Sequence, residues 1–422
     1  MNVDEAHKIR TMWLCGALHA LTHIYHVALI PLYLLIRQDL QLASDGQATF
    51  LVTVLGLAYY LPSYPMGVLA DRISRKKLLA IGLAINGLGF AGLSFAPSYP
   101  WAIVCLAVAG FGGSFYHPAA TAMVARLYPV GTGKALGLVA IGASAGFFIG
   151  PIYSGWRGEV AGWRAPVFEL GVLGILCAGV FAWLAEERAT PNAMVANARS
   201  AEKLFPTPAL WLFFIASSVA FSLRDFAGGG MGSLSSLFLQ RAHGFSPRAT
   251  GLALAGIFLA SAISNPLFGG LSDRGRIRWT CSVLLLAAGM VAIFPRLPES
   301  GLIPALVIYG FFFLASYPMV EAAIMESVPD AVRGRVFGLF ITMGGLVGNL
   351  AHWMVGDWVR RLGDGASLPP RYYALYGFLA LLIVLALAGL PCLHAIRKRE
   401  HLEPSPSGAA TSATALRVPH SP

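Results

Sequence analysis

Long apolar stretches separated by short polar punctuation recur twelve times along the chain. Roughly 20 apolar residues cross the hydrocarbon core of a bilayer at about 1.5 Å of helical rise each. The pattern predicts spans at 11–36, 48–69, 78–96, 101–126, 135–156, 164–185, 208–240, 247–270, 279–295, 301–327, 335–357 and 372–396, the ninth being the shortest. Helices are required, because a lipid-exposed open sheet would strand backbone donors and acceptors. The expected fold is therefore an all-α membrane protein with twelve transmembrane helices. The one long polar interior stretch divides them six and six. This gives an N-terminal six-helix bundle (1–185), a central loop (186–207), a C-terminal six-helix bundle (208–396) and a tail (397–422). The tail is rich in Ser, Pro and Ala and is expected to be disordered.

Composition sharpens this picture. Of 422 residues, 56% are hydrophobic and 12% charged, about half the charge of a soluble domain. A net charge of +10 would suggest a nucleic-acid partner in a soluble chain. Here topology explains it. With the termini placed inside, inner segments hold 20 of the 30 Lys and Arg residues and outer loops hold 9, leaving Arg224 within a span. That bias follows the positive-inside rule. Both termini are expected in the cytoplasm, the chain in the inner membrane, and no nucleic acid as partner. The N-terminus lacks a small-residue cleavage site, so the first apolar run counts as a span. Five single cysteines without a CxxC pair suggest neither a disulfide framework nor a metal site. No nucleophile–base pair or nucleotide loop stands out, so neither enzymatic activity nor a cofactor is expected.

The two halves repeat. "GVLADRISRK" (67–76) aligns with "GGLSDRGRIR" (269–278), 202 residues later, each following the second span of its half. "YHPAATAMVARLYPVGTGKALG" (116–137) aligns with "YPMVEAAIMESVPDAVRGRVFG" (317–338). Two six-helix halves in the same orientation form the parallel repeat of one large transporter class. Asp71 is expected at the start of the third helix, where an acid favours the positive helix end by about 0.3–1 kcal/mol. Gly67 is expected to admit a neighbouring helix, and Lys77 to anchor topology.

On these residues the chain resembles the major facilitator superfamily over essentially all of its membrane portion. The hallmark loop of that family reads G-x-L-A-D-R-x-G-R-[KR], and Ser74 stands here where the family has Gly. The resemblance implies a cytoplasmic latch between the halves. Its residues would be Gly67, Asp71, Arg72, Arg75 and Lys76, with Gly269, Asp273 and Arg274 from the second copy.

In the fifth span Gly142, Gly146 and Gly150 recur every four residues, a bare stripe that lets membrane helices pack backbone to backbone. Pro151 is expected to kink or break that helix. The wider spacing of Gly137, Gly146, Gly150, Pro151 and Gly155 resembles the antiporter motif of proton-coupled exporters in the same superfamily, with Ser154 replacing one Gly.

Ionisable groups within spans are costly and are functional candidates. His19, His23 and His26 share one face of the first span, and His117 in the fourth falls at a depth between His19 and His23. Such residues could carry protons or hydrogen-bond substrate, or remain neutral and bonded to backbone. In the seventh span Arg224 and Asp225 precede three glycines that weaken a helix. Arg224 could hold an anionic substrate group or pair with Asp225 or Glu321. Asp225 and Glu321 are alternative proton carriers. His23 together with "FYHPAA" is similar to bacterial exporters of the fosmidomycin-resistance type, although Ala119–Ala120 depart from the acid that follows the Pro in that group. The expected function is secondary transport of a small organic solute by alternating access, as proton-coupled efflux by a monomer in the lipid bilayer. The alternative is proton-coupled uptake of an organic anion.

Overall fold

In a computed structural model, residues 3–129, 132–187, 204–328 and 332–402 are described. They form twelve membrane-length helical spans: α1 (Glu5–Asp39), α2 (Asp45–Ala70), α3 (Arg75–Ser94), α4 (Tyr99–Leu127), α5 (Lys134–Ala161), α6 (Arg164–Leu184), α7 (Pro208–His243), α8 (Pro247–Ser272), α9 (Arg276–Arg296), α10 (Glu299–Glu326), α11 (Arg335–Ser367) and α12 (Pro369–Lys398). All twelve expected spans are present, and no strand occurs among the described residues. The shortest is α3, with 20 residues, rather than α9, with 21.

Local chemistry sets the ends. Thr207 caps α7 by accepting from the Leu210 amide at 3.4 Å, with Pro208 in the first turn, where its missing amide hydrogen is not needed. Ser246 and Pro247 start α8 in the same way. The far end of α7 stops at Gly244, whose φ of +68° favours glycine.

Pro151 does not break its helix, and two boundary expectations are corrected. Pro151 lies inside one uninterrupted helix, Thr132–Ala161, and Gly228–Gly230 lie inside another, Pro208–His243. In an apolar environment backbone hydrogen bonds have no water to compete with them, so Pro and Gly are tolerated where neighbouring helices pack closely. Asp71 does not begin the third helix; it falls in the last turn of the helix Ser63–Arg72. The helix Gly389–Leu402 also runs past residue 397 into the stretch expected to be disordered. Residues 403–422, and 188–203 of the central loop, lie outside the described residues.

Real breaks occur elsewhere. A 3-10 turn at Ile30–Leu32 interrupts α1, and α4 breaks at Ser114–Phe115. The breaks in α2, at Leu61–Pro62, and in α8, at Ala260, occupy the same span of each half.

Spans α1–α6 form one bundle and α7–α12 the other. In the first, α3 lies on α6 and α1 on α5; in the second, α7 lies on α11 and α12. Two seams join the bundles, α2 against α11 and α5 against α8. Both are built on glycine. A Cβ at Gly56 would fall on the Asn349 side chain, one at Gly46 would sit 3.3 Å from the Asp357 amide, and those at Gly155 and Gly251 would strike the Pro247 and Pro151 carbonyls. All these contacts lie away from the face that carries the N-terminus, the C-terminal helix and the start of the central loop. Toward that face the seams thin: Ser261–Ser272 of α8 packs on α9 and α10 of its own half, and Ser63–Arg72 of α2 packs chiefly on α4 and only lightly on α11. Tyr64 and Ile263 are 66% and 67% exposed there. The space between the halves therefore opens on the terminal face.

The stripe on α5 rests on α1. A Cβ at Gly142 or Gly146 would fall on the carbonyl of Gly16 or Ala20, and one at Gly150 would lie 2.7 Å from a Val27 methyl. Gly137 takes no part in it, having nothing within 4 Å of an added Cβ. Gly67 meets Pro118 at an ordinary 3.6 Å, so it does not mark a close approach. Gly146→Leu is expected to destabilise the bundle by about 1–3 kcal/mol through overpacking, and Gly137→Leu to be neutral. Thermal unfolding of the purified variants checks this, and equal Tm values would contradict the packing.

Candidate functional site

The break in α4 restarts the chain as the helix Tyr116–Leu127. Tyr116 donates from its hydroxyl to the Cys15 carbonyl at 2.8 Å, which ties α4 to α1. His117 is thereby delivered to the histidine face of α1. Its ring centre lies 5.2 Å from that of His19 and 5.8 Å from that of His23, the intermediate depth expected from the sequence. His23 and His26 are 5.9 Å apart, and His26 meets Tyr59 of α2 edge-on at 4.5 Å. Phe147 of α5 covers His23 at 4.2 Å and stacks at 4.7 Å on Phe258 of the opposite half.

Backbone partners fix two of these rings. His19 Nδ1 lies 3.1 Å from the Val139 carbonyl, and His26 Nδ1 lies 2.9 Å from the Thr22 carbonyl. A carbonyl only accepts, so Nδ1 carries the hydrogen in both. Each Nε2 then presents a lone pair, buried and without a hydrogen-bond partner among the described residues.

A second constellation sits in the other half. Arg224 is 1% exposed. Its Nε and Nη2 donate to Asp225 Oδ1 at 3.0 and 2.8 Å, and Nη1 lies 3.4 Å from the Ser316 carbonyl. The guanidinium stacks 3.9 Å over Tyr317 of α10. Glu321 lies one turn beyond Tyr317 on α10. Arg224 is therefore the buried partner of Asp225, the pairing that the sequence offered beside the role of anion anchor. A lone guanidinium in lipid is costly, and the adjacent carboxylate neutralises it.

Aromatic rings link the two constellations. Tyr59 and Tyr60 are 5.0 Å apart, Tyr60 lies over Gly345 of α11, and Asp225 Oδ2 faces Gly344. The histidines of the first half and the Arg224–Asp225 pair of the second are thus connected through Tyr59, Tyr60 and the Gly344–Gly345 segment of α11.

Sequence reasoning missed three features. His352 of α11 bonds through Nδ1 to Ser233 Oγ at 2.7 Å, and Ser233 bonds to the Tyr33 hydroxyl at 2.7 Å, a chain that crosses between halves. A single His in an apolar span was its only signal. Asp45, 4% exposed, accepts from Arg37 at 3.0 Å and from Arg241 of the other half at 2.7 Å. Finally, Glu187 occupies the start of α3. It accepts from the Ser74 hydroxyl and from the amides of Arg75 and Lys76 at 2.8 and 3.3 Å. Ser74 also caps the helix through the Lys77 amide. The acid at this positive helix end is Glu187, not Asp71. In the second copy Asp273 pairs with Arg276 at 3.2 Å, and Arg276 also pairs with Glu326. Arg72 and Arg274 are exposed, and Gly269 borders open space.

Residues 12–352 match the Major Facilitator Superfamily. The chain belongs to the Major Facilitator Superfamily. It is 26% identical over 334 residues to Multidrug resistance protein MdtH of Shigella dysenteriae, an alignment covering 76% of this chain and 79% of that protein. It is 28% identical to the Multi-drug resistance efflux pump PmrA of Streptococcus pneumoniae, covering 74% and 79%. Among solved structures it is similar to a bacterial homolog of the human lysosomal transporter Spinster in an inward-facing, unoccupied conformation. The TM-score there is 0.71 at 18% identity, covering 93% of this chain and 96% of that one. The protein is thus a twelve-span membrane transporter of the Major Facilitator Superfamily, and the family and fold are those of transporters rather than enzymes. The buried Arg224–Asp225 pair lies wholly within the second bundle. Asp225→Asn strands a buried cation and is expected to cost about 3–5 kcal/mol. A thermal-shift measurement in detergent checks this; an unaltered Tm would contradict the pairing.

Proposed function

We propose that this transporter exports small organic solutes from the cytoplasm across the inner membrane in exchange for protons, with both termini cytoplasmic. The observation that carries the reading is the space between the bundles, opening on the terminal face and crossed by titratable groups. The segments assigned to the inner side hold 20 of the 30 Lys and Arg residues, a bias that supports a cytoplasmic terminal face. An opening there suits collection of cytoplasmic cargo. The names of the relatives, multidrug resistance and multi-drug efflux, support the direction, as does the α5 motif that resembles that of proton-coupled exporters. His23, His26, His117, Asp225 and Glu321 are the candidate proton and substrate groups. Uptake of an organic anion is the less favoured reading, because the Arg224 guanidinium is already engaged by Asp225.

The working partition is a 1–185 bundle and a 208–396 bundle in a monomer. The latch comprises Gly67, Asp71, Arg72, Arg75, Lys76, Gly269, Asp273 and Arg274, and closes when the terminal face closes. Arg75 and Lys76 are held to Glu187 of their own half while that face is open.

The test is transport by proteoliposomes of defined orientation under an imposed pH gradient, with a panel of lipophilic drugs. Gradient-driven drug movement with counterflow of protons is expected. Movement unaffected by collapsing the gradient would overturn proton coupling. Asp71→Asn is expected to lower the transport rate by tenfold or more, on the order of 1.4 kcal/mol, with membrane insertion intact. A wild-type rate would remove the latch role.

A further inference from the structure

The three histidines His19, His23 and His117 are arranged as metal ligands are. His19 and His23 stand one turn apart on α1, and the Tyr116 hydroxyl holds the restart of α4 against them. One nitrogen from each ring lies within 4.8 Å of the other two. A tetrahedral Zn²⁺ with bonds of about 2.0–2.1 Å needs nitrogens about 3.3 Å apart, so small side-chain rotations close the site.

The second observation concerns what surrounds the ligands. Metal-bound imidazoles almost always send their other N–H to a carbonyl or carboxylate, which fixes the tautomer and aims the free lone pair. His19 does this through Nδ1 to Val139 at 3.1 Å, leaving Nε2 buried without a hydrogen-bond partner. His23 Nδ1 is likewise buried and unpartnered among the described residues. Buried polar nitrogens normally find partners, so two orphans beside a third imidazole need an explanation. A bound cation satisfies them together.

We propose that His19, His23 and His117 bind one divalent transition-metal cation of the Zn²⁺ class. Three neutral imidazoles select Zn²⁺, Ni²⁺, Co²⁺ or Cu²⁺ over Mg²⁺ and Ca²⁺, which require oxygen donors. His117 is the most exposed of the three, so the ion is reached past its ring. Three protein ligands leave a fourth position, filled by water or by a donor atom of a cargo. All three ligands belong to the first bundle, so the ion loads without bridging the halves. The site does not depend on the direction or coupling proposed above.

The test uses the full-length protein in detergent, freed of metal by chelation and titrated with Co²⁺ and then Zn²⁺. The expected result is one ion per chain, with the intense visible absorption of tetrahedral Co²⁺, displaced by Zn²⁺. His117→Gln is expected to weaken binding by about tenfold or more, and His394→Gln, on the terminal-side end of α12, to leave it unchanged. His19→Gln also removes the bond to Val139, so His117→Gln is the deciding variant. X-ray absorption of the Zn²⁺-loaded wild-type protein stands apart from any variant and should show three imidazole nitrogens at about 2.0 Å. Absence of stoichiometric binding, unchanged affinity in His117→Gln, or a shell of oxygen alone would overturn the site.

Discussion

Close approach of helix backbones across glycine is the constraint on which the rest of this molecule depends. Lipid tails are as apolar as the side chains, so burial gives little drive for one membrane helix to choose another, and packing without intervening side chains supplies it. The α5 helix shows this along its length. Gly142 and Gly146 seat it on the α1 carbonyls, and Gly155 seats it on α8 of the opposite bundle. One helix therefore fixes both the histidine-bearing α1 and the contact between halves. Phe147, between the glycines, covers His23 and reaches Phe258 across the boundary.

The seams also explain where the molecule opens. Glycine contacts and the Asp45 pairing with Arg37 and Arg241 close the end away from the termini. Beyond the breaks in α2 and α8 the helices pack mainly within their own halves. Asp45 is buried while its two partners are about one-third exposed, a geometry in which removing the acid leaves two like charges facing each other. The ionisable groups lie between this closed end and the open one.

Much of this was legible in the sequence because its cause is local. A helix long enough for the bilayer, a stripe of glycines at four-residue spacing and histidines on one face are all statements about neighbours along one helix. The repeat around Asp71 and Asp273 gave the two bundles. What the sequence hid is set by distant partners. Asp45 and Arg241 are 196 residues apart, Ser74 and Glu187 113, Ser233 and His352 119. The position of Asp71 was misread because α3 begins only at its cap, Ser74, and Glu187 supplies the acid there. Of the two outcomes expected at Pro151, a kink or a break, the break is absent for a physical reason: helix breaking is a rule learned in water, where freed carbonyls have another partner.

If the glycine seams act as the pivot, closure of the terminal face must accompany opening of the other. Spin labels at Tyr64 and Leu267 report the terminal face, and labels at Ser98 and Glu299 the opposite one, in pulsed electron double resonance on protein in nanodiscs. With transported drug or a pH step, the first distance should shorten while the second lengthens. Distances that stay fixed, or change in the same direction at both ends, would contradict alternation about these seams.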